Sequence, residues 1–315
     1  MALSLSACGG PGAASGETTA TPTPAGAPAA PPGGSATPAP GAAPIAVVGA
    51  ENFYGDLLQQ IGGARVSVTS LLNDPNGDPH EYESNARDAA AIADARLVVQ
   101  NGLGYDSYMG RIEAANPGPR RVIDVQRLLG LPASTPNPHL WYSPRTMPAV
   151  AAAVARDLAA LQPAHAAYFR AAARRFDASL SPWRRLLAAI ASRRPHPTAA
   201  VTEPVGDYLL QAAGVRILTP FSFQADVMNG VDPAPQQVSL EQALLARHRV
   251  QVFLYNRQVS DSLTQSVLAS AQSAHVPVVA LYETMPRGFD YQRWMLAETR
   301  AMARALAHGI STESL

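Results

Sequence analysis

From Ile45 onward, short unbroken apolar runs alternate with stretches whose apolar residues recur at helical spacing. Ile45-Ala46-Val47-Val48 reads as a buried strand, and Asn52 to Ile61 as a helix closed by Gly62-Gly63. Val66 to Leu71 is a second strand, followed by a loop rich in Asn, Asp, Pro and Gly. Ser84 is placed to cap a helix running to about Ala95. Leu97-Val98-Val99 is a strand ending at Asn101-Gly102, and Arg121 to Val125 a fourth. Ser143-Pro144 has the form of a helix start, with the helix running to about Leu161. A second long helical stretch runs from Pro163 to about Arg193, interrupted only at Ser181-Pro182.

The alternation then repeats. Strands are expected at Thr198 to Thr202, Val215 to Leu218, Val250 to Tyr255 and Val276 to Leu281. Helices are expected at Pro204 to Ala213, from Ser239 with Gln242 completing a capping box, at Asp261 to Ala274, and at Tyr291 to Ala307. Pro220 to about Gln237 reads as a long loop. Strand and helix in strict alternation imply an α/β fold. Two lobes follow, each a mainly parallel sheet flanked by helices, joined by a long interdomain helix. The expected division is 44–162 for the first lobe, 163–195 for the linking helix and 196–315 for the second lobe.

Residues 1–43 do not fit this pattern. They are dominated by Pro, Ala, Gly, Thr and Ser, a composition that cannot bury enough apolar surface to offset ordering, and they read as a disordered, polyproline-like tether. The single cysteine, Cys8, excludes an intrachain disulfide. Leu5-Ser6-Ala7-Cys8-Gly9 resembles a bacterial lipobox, in which the cysteine is lipidated, although only seven residues precede it and none is basic. A lipidated cysteine and a flexible stalk would hold a globular body just outside a membrane, with the lipid as its only membrane contact. Formal net charge is zero, every basic residue is arginine and no basic run stands out, so nucleic acid is not an expected partner.

Four residues carry candidate chemistry. His80 lies in Asp78-Pro79-His80-Glu81-Tyr82-Glu83, and His139 in Asn137-Pro138-His139-Leu140-Trp141-Tyr142. Glu203 lies in Thr202-Glu203-Pro204, and Glu283 in Tyr282-Glu283-Thr284-Met285-Pro286. Glu203 directly follows an expected strand and Glu283 closely follows another, and ligands of open parallel sheets bind beyond the strands' carboxyl ends. Two neutral imidazoles and two carboxylates would match the charge of one divalent cation. Such a donor set suits manganese or iron, yet zinc outranks manganese in intrinsic affinity at almost any such site. The plainer alternatives are a helix-start carboxylate for Glu203 and a loop carboxylate for Glu283.

These stretches, with Glu51-Asn52-Phe53-Tyr54-Gly55, Asn101-Gly102-Leu103-Gly104-Tyr105-Asp106 and Tyr255-Asn256-Arg257-Gln258, make the chain resemble the cluster A-I solute-binding proteins. Those receptors deliver zinc or manganese to ABC importers. The resemblance covers about Ile45 to Ala307. It implies one divalent metal ion, Mn2+ or Zn2+ with Fe2+ possible, held between the lobes by His80, His139, Glu203 and Glu283. It also implies a monomeric receptor outside the cytoplasm, partnered by a permease and its ATPase. The fourth ligand is usually aspartate in that family, so Glu283 is a departure, and the histidine-rich loop of many zinc receptors is absent. Two other classes compete. A metalloenzyme could use two histidines and a carboxylate, but no HExxH motif, nucleophile elbow or phosphate loop is present. A surface adhesin would need a protein-binding patch that nothing here marks.

Overall fold

The computed structural model describes residues 43–74 and 82–315. Cys8, nearly all of the expected tether and His80 lie outside the described residues.

The first sheet contains β1 (Ile45–Glu51), β2 (Val66–Leu72), β3 (Leu97–Gln100) and β4 (Arg121–Asp124), in the order β2-β1-β3-β4. All its pairings are parallel. Side chains alternate across a strand, so one sheet serves two cores. Ile45, Val47, Leu97 and Val99 face the larger core, against α1 (Asn52–Gly62). Val48, Ala50 and Val98 face the smaller one, against α2 (Ala86–Asp94) and α3 (Tyr108–Ala115). Burial on both faces explains why these strands read as continuous apolar runs. A short helix, α4 (Val125–Leu128), follows β4.

The link between the halves is α5 (Thr146–Leu161), α6 (Ala166–Ser179) and α7 (Ser181–Ala191). The expected interruption at Ser181-Pro182 is real: α6 stops at Ser179 and Pro182 sits in the first turn of α7, where its missing N–H is harmless. α5 begins at Thr146 rather than Ser143, because Leu140–Tyr142 form a 3-10 turn that buries Trp141.

The second sheet contains β5 (Thr198–Val201), β6 (Arg216–Ile217), β7 (Val252–Asn256) and β8 (Val278–Leu281), ordered β6-β5-β7-β8 and again parallel. Its helices are α8 (Asp207–Ala212), α9 (Phe221–Met228), α10 (Pro235–Ala246), α11 (Ser262–Ser273) and α12 (Tyr291–His308).

Four details depart from the pattern reading. The cap of α2 is Asn85, whose carboxamide accepts from Arg87 N while Asp88 accepts from Asn85 N, a complete capping box one residue beyond Ser84. The expected loop from Pro220 to Gln237 contains α9, anchored by Phe223 and Val227 one turn apart. α10 starts at Pro235, with Gln237 reaching back to Ala234 N, not at Ser239. α3 has no counterpart in the sequence reading, since only Tyr108, Met109 and Ile112 of its residues are buried.

The larger core does not stop at the link. It runs from Phe53, Leu57 and Trp141 through Phe176, Trp183 and Leu187 to Val201, Leu254, Val279 and Trp294. Aromatic rings form its spine. Phe53 stacks on Trp141 at 4.5 Å, Tyr142 meets Trp294 edge-on at 5.8 Å, and Trp183 meets Tyr291 edge-on at 6.1 Å.

At the carboxyl end of β1 the chain turns into α1 with no room to spare. A Cβ on Gly49 would collide with the backbone of Gly55. Gly49→Ala is therefore expected to destabilise the protein by about 1–3 kcal/mol, measured by urea unfolding of the metal-free protein. An unchanged midpoint would show that this approach is not a packing constraint.

Candidate metal site

The site forms where strand ends of both sheets meet. Glu203 lies two residues past β5, Glu283 two residues past β8, and Asn256 is the last residue of β7. His139 arrives from the first half, on the segment ahead of α5. His139 and Glu283 are fully buried and Glu203 is 2% exposed.

His139 is held in one tautomer. Asn137 Nδ2 donates to Pro204 O at 2.7 Å, which fixes the carboxamide and turns Asn137 Oδ1 toward the imidazole. That oxygen accepts from His139 N at 2.9 Å and lies 2.8 Å from His139 Nδ1, so Nδ1 carries the hydrogen. Nε2 then presents a lone pair, 3.2 Å from Glu283 Oε2. The other carboxylate oxygen, Oε1, accepts from Asn256 Nδ2 at 2.5 Å. Two buried acceptor atoms this close repel unless something positive lies between them, either a proton or a metal ion. These donors fit a divalent cation.

The structure thus brings together His139 and Glu283. Glu203 joins the same wall through the Pro204–Asn137 hydrogen bond. It does not complete a cluster: among the described residues, no three His, Cys, Asp or Glu side chains are grouped closely enough to hold a metal. His80 lies outside the described residues.

Sequence reasoning gave no role to several residues that shape this wall. Gly102, Leu103 and Gly104 all have positive φ, 80°, 56° and 80°. For Leu103 that conformation is strained, and strain of this kind is held where the surroundings demand it. Here the loop wraps the Asp106 carboxylate, which accepts from Asn101 N and Gly102 N. It also sets the Tyr105 ring edge-on to His139 at 5.9 Å. Burial raises the Tyr105 pKa, and the charges of Glu283 and Glu51 and a hydrogen bond to Glu283 raise it further. Burial also raises Glu51 well above the carboxylate range, with Asp106 adding to the shift, and Asp106 itself is pushed up to about 6. Asn101 Nδ2 donates to Pro138 O at 2.8 Å, holding the backbone just ahead of His139. The only signal in the chain was the Asn-Gly-Leu-Gly run after β3, a strand-end loop like those carrying the ligands.

Glu283 also depends on contacts between the halves. Asn52 Nδ2 donates to Met285 O at 2.8 Å, and Met285 N donates to Asn52 Oδ1 at 2.9 Å. The Tyr142 hydroxyl lies 2.7 Å from Tyr282 O and 2.8 Å from Glu298 Oε2. One hydroxyl proton cannot serve both acceptors. A protonated Glu298 resolves this by donating to Tyr142, which donates to Tyr282 O, while Glu298 Oε1 accepts from Trp294 Nε1 at 2.8 Å. Burial pushes Glu298 up to about 8, against the opposing pull of its hydrogen bonds, so the acid form prevails at neutral pH.

The chain matches a family model described as zinc-uptake complex component A, periplasmic, over residues 47–305. It is 25% identical to a putative metal-binding protein of Treponema pallidum, over 85% of this chain and 89% of that one. A shorter stretch is 33% identical to the manganese-binding lipoprotein MntA of Halalkalibacterium halodurans, over 31% of this chain and 33% of that one. The fold matches the manganese-bound periplasmic metal-binding protein of Candidatus Liberibacter asiaticus with a TM-score of 0.68 at 19% identity, over 83% of this chain and 99% of that one.

The Glu298 arrangement predicts a pH dependence. Unfolded, the group ionises near its ordinary 4.5; folded, it holds its proton to about 8. The folded state therefore binds more protons between these values, and stability falls as pH rises through that window, levelling off above it. Glu241, raised by burial to about 8, acts in the same direction. Thermal melting of metal-free protein from pH 5 to 8 should show the decline, and Glu298→Gln should make it shallower. Equal slopes in the two proteins would show that Glu298 titrates normally.

Proposed function

Because the chain belongs to the family of periplasmic zinc-uptake component A proteins, extracytoplasmic receptors that supply divalent metal to ABC importers, we propose that its cargo ion is held by His139 Nε2 and Glu283 Oε2, with Glu203 and His80 completing the set. The observation that carries this reading is the pair of buried acceptors 3.2 Å apart, one from each half. A divalent cation there replaces repulsion with two bonds and ties the halves together. The cargo is manganese or zinc, with iron admitted by the same donors.

The division of labour is that of the expected lobes. Residues 44–162 supply the imidazoles, 196–315 supply the carboxylates, and 163–195 connect them. On this reading the protein is a receptor, not a catalyst: a catalytic metal needs an open position, and a full set of four protein donors would leave none. Cys8 is the point of lipid attachment, a reading supported by its lipobox-like setting and by the lipoprotein MntA among the relatives. No helix among the described residues is long and apolar enough to cross a membrane. The receptor acts as a monomer and hands its ion to a permease and its ATPase.

The metal-depleted protein should bind one divalent ion per chain in a chelator-competition titration. His80→Ala, His139→Ala, Glu203→Gln and Glu283→Gln should each weaken binding by more than the roughly 10–100-fold typical of losing an outer partner. Acidification should release the ion, because both imidazoles must be unprotonated to bind it. Full affinity in both the His139 and Glu283 variants would overturn the reading.

A further inference from the structure

We propose that Glu298 is a positioning residue for the metal site: a buried acid whose proton keeps the Tyr142 hydroxyl donating to Tyr282 O, and so holds the strand end that bears Glu283 against the segment that bears His139. The inference rests on the reading of His139 and Glu283 as ligands.

Tyr142 and Tyr282 come from different halves, and each stands close to a ligand in the chain. Tyr142 follows His139 by three residues, and Tyr282 immediately precedes Glu283. Tyr142 is fully buried, and Glu298, on α12, is 1% exposed. In the acid form every polar atom of the group is served. Glu298 Oε2 donates its proton to the Tyr142 oxygen across 2.8 Å, and the Tyr142 hydroxyl donates to Tyr282 O across 2.7 Å. The same phenol oxygen accepts from Tyr282 N at 3.3 Å, and Glu298 Oε1 accepts from Trp294 Nε1 at 2.8 Å. A hydroxyl has one donor and two lone pairs, so this assignment fills it. Ionised Glu298 can only accept. The single Tyr142 proton then turns to the carboxylate, and Tyr282 O is left facing a bare phenol oxygen. The hydrogen bond between the halves becomes a buried contact of two acceptors, which is unfavourable.

The ionisable groups around this acid leave it uncompensated. Tyr142 faces it from the turn ahead of α5 and Tyr291 from α12 itself, and burial raises both phenols well above their ordinary value. Tyr282 faces it with its backbone, while its own hydroxyl accepts from Leu315 N at 3.2 Å. Arg184 on α7 and Asp56 on α1 act on Tyr291, and the charge of Glu283 acts on Tyr142. Among the described residues no cation offsets the burial that pushes Glu298 up to about 8. Below that value the acid form prevails and the bridge is whole. Above it the bridge is lost, so metal affinity falls as pH rises.

Zinc affinities of the wild type and Glu298→Gln, measured by chelator competition from about pH 7 to about pH 9, test this. Shared buffers cancel the ion's own speciation from the ratio. The glutamine carboxamide can donate to Tyr142 and accept from Trp294 at every pH. The wild type should match it at the lower end and bind about two- to tenfold more weakly at the upper end, the worth of one buried hydrogen bond. Tyr142→Phe should bind more weakly throughout, and adding Glu298→Gln to it should bring no further pH-dependent change. Melting of the metal-free proteins confirms folding. If Glu298→Gln does not fold, Tyr142→Phe takes its place: the advantage of the wild type over it should shrink across the same range. A ratio that stays constant with pH, against whichever variant folds, would overturn the proposal. Two further variants separate the readings. If His139→Ala and Glu283→Gln keep full affinity, the ligand reading fails and this one with it; if they lose metal while the ratio stays constant, only the role of Glu298 fails.

Discussion

An imidazole nitrogen and a carboxylate oxygen face each other across 3.2 Å with no water-accessible surface on either side chain. Much of the surrounding architecture keeps them there. Asn137 orients the ring, and Asn256 holds one oxygen of the carboxylate. Both carboxamides are themselves locked, one by Pro204 O and the other by Gln258 N. Burial removes the solvent that would otherwise dampen the confrontation, so the pair's demand for positive charge is strong.

Around this pair lies an unusually acidic interior. Glu51, Asp106, Glu203 and Glu283 are all buried near the strand ends. Burial holds Glu51 and Asp106 toward their neutral forms, which limits the repulsion that four full charges would cause. The strained turn at Leu103 has its rationale here. It wraps one acid in backbone N–H groups and sets the Tyr105 ring against His139.

The alternation of strands and helices was readable because buried parallel strands are apolar on both faces and amphipathic helices are not. The glutamate candidates were readable because they follow strands, where such folds bind ligands, and His139 because it sits in a short proline-bearing motif. What the chain concealed were short, weakly periodic helices such as α3 and α9, and a cap at Asn85 that competed with an equally plausible serine beside it. Asn256 and Tyr105 were hidden for a different reason. Their roles come from hydrogen-bond direction and from contacts across tens of residues, and no periodicity records either. Asn256 does obey the strand-end rule, and applying that rule to carboxamides as well as to carboxylates and imidazoles would have found it.

The hydrophobic interior passes from one sheet to the other without a break, through Phe176, Trp183 and Trp294. Two bodies fused in this way cannot swing far apart, because wide opening would wet the aromatic spine. Small rocking is the motion left to them. An ion enclosed by such a molecule has no easy spontaneous exit. Under the proposed function, release of the ion then falls to the importer that the receptor serves.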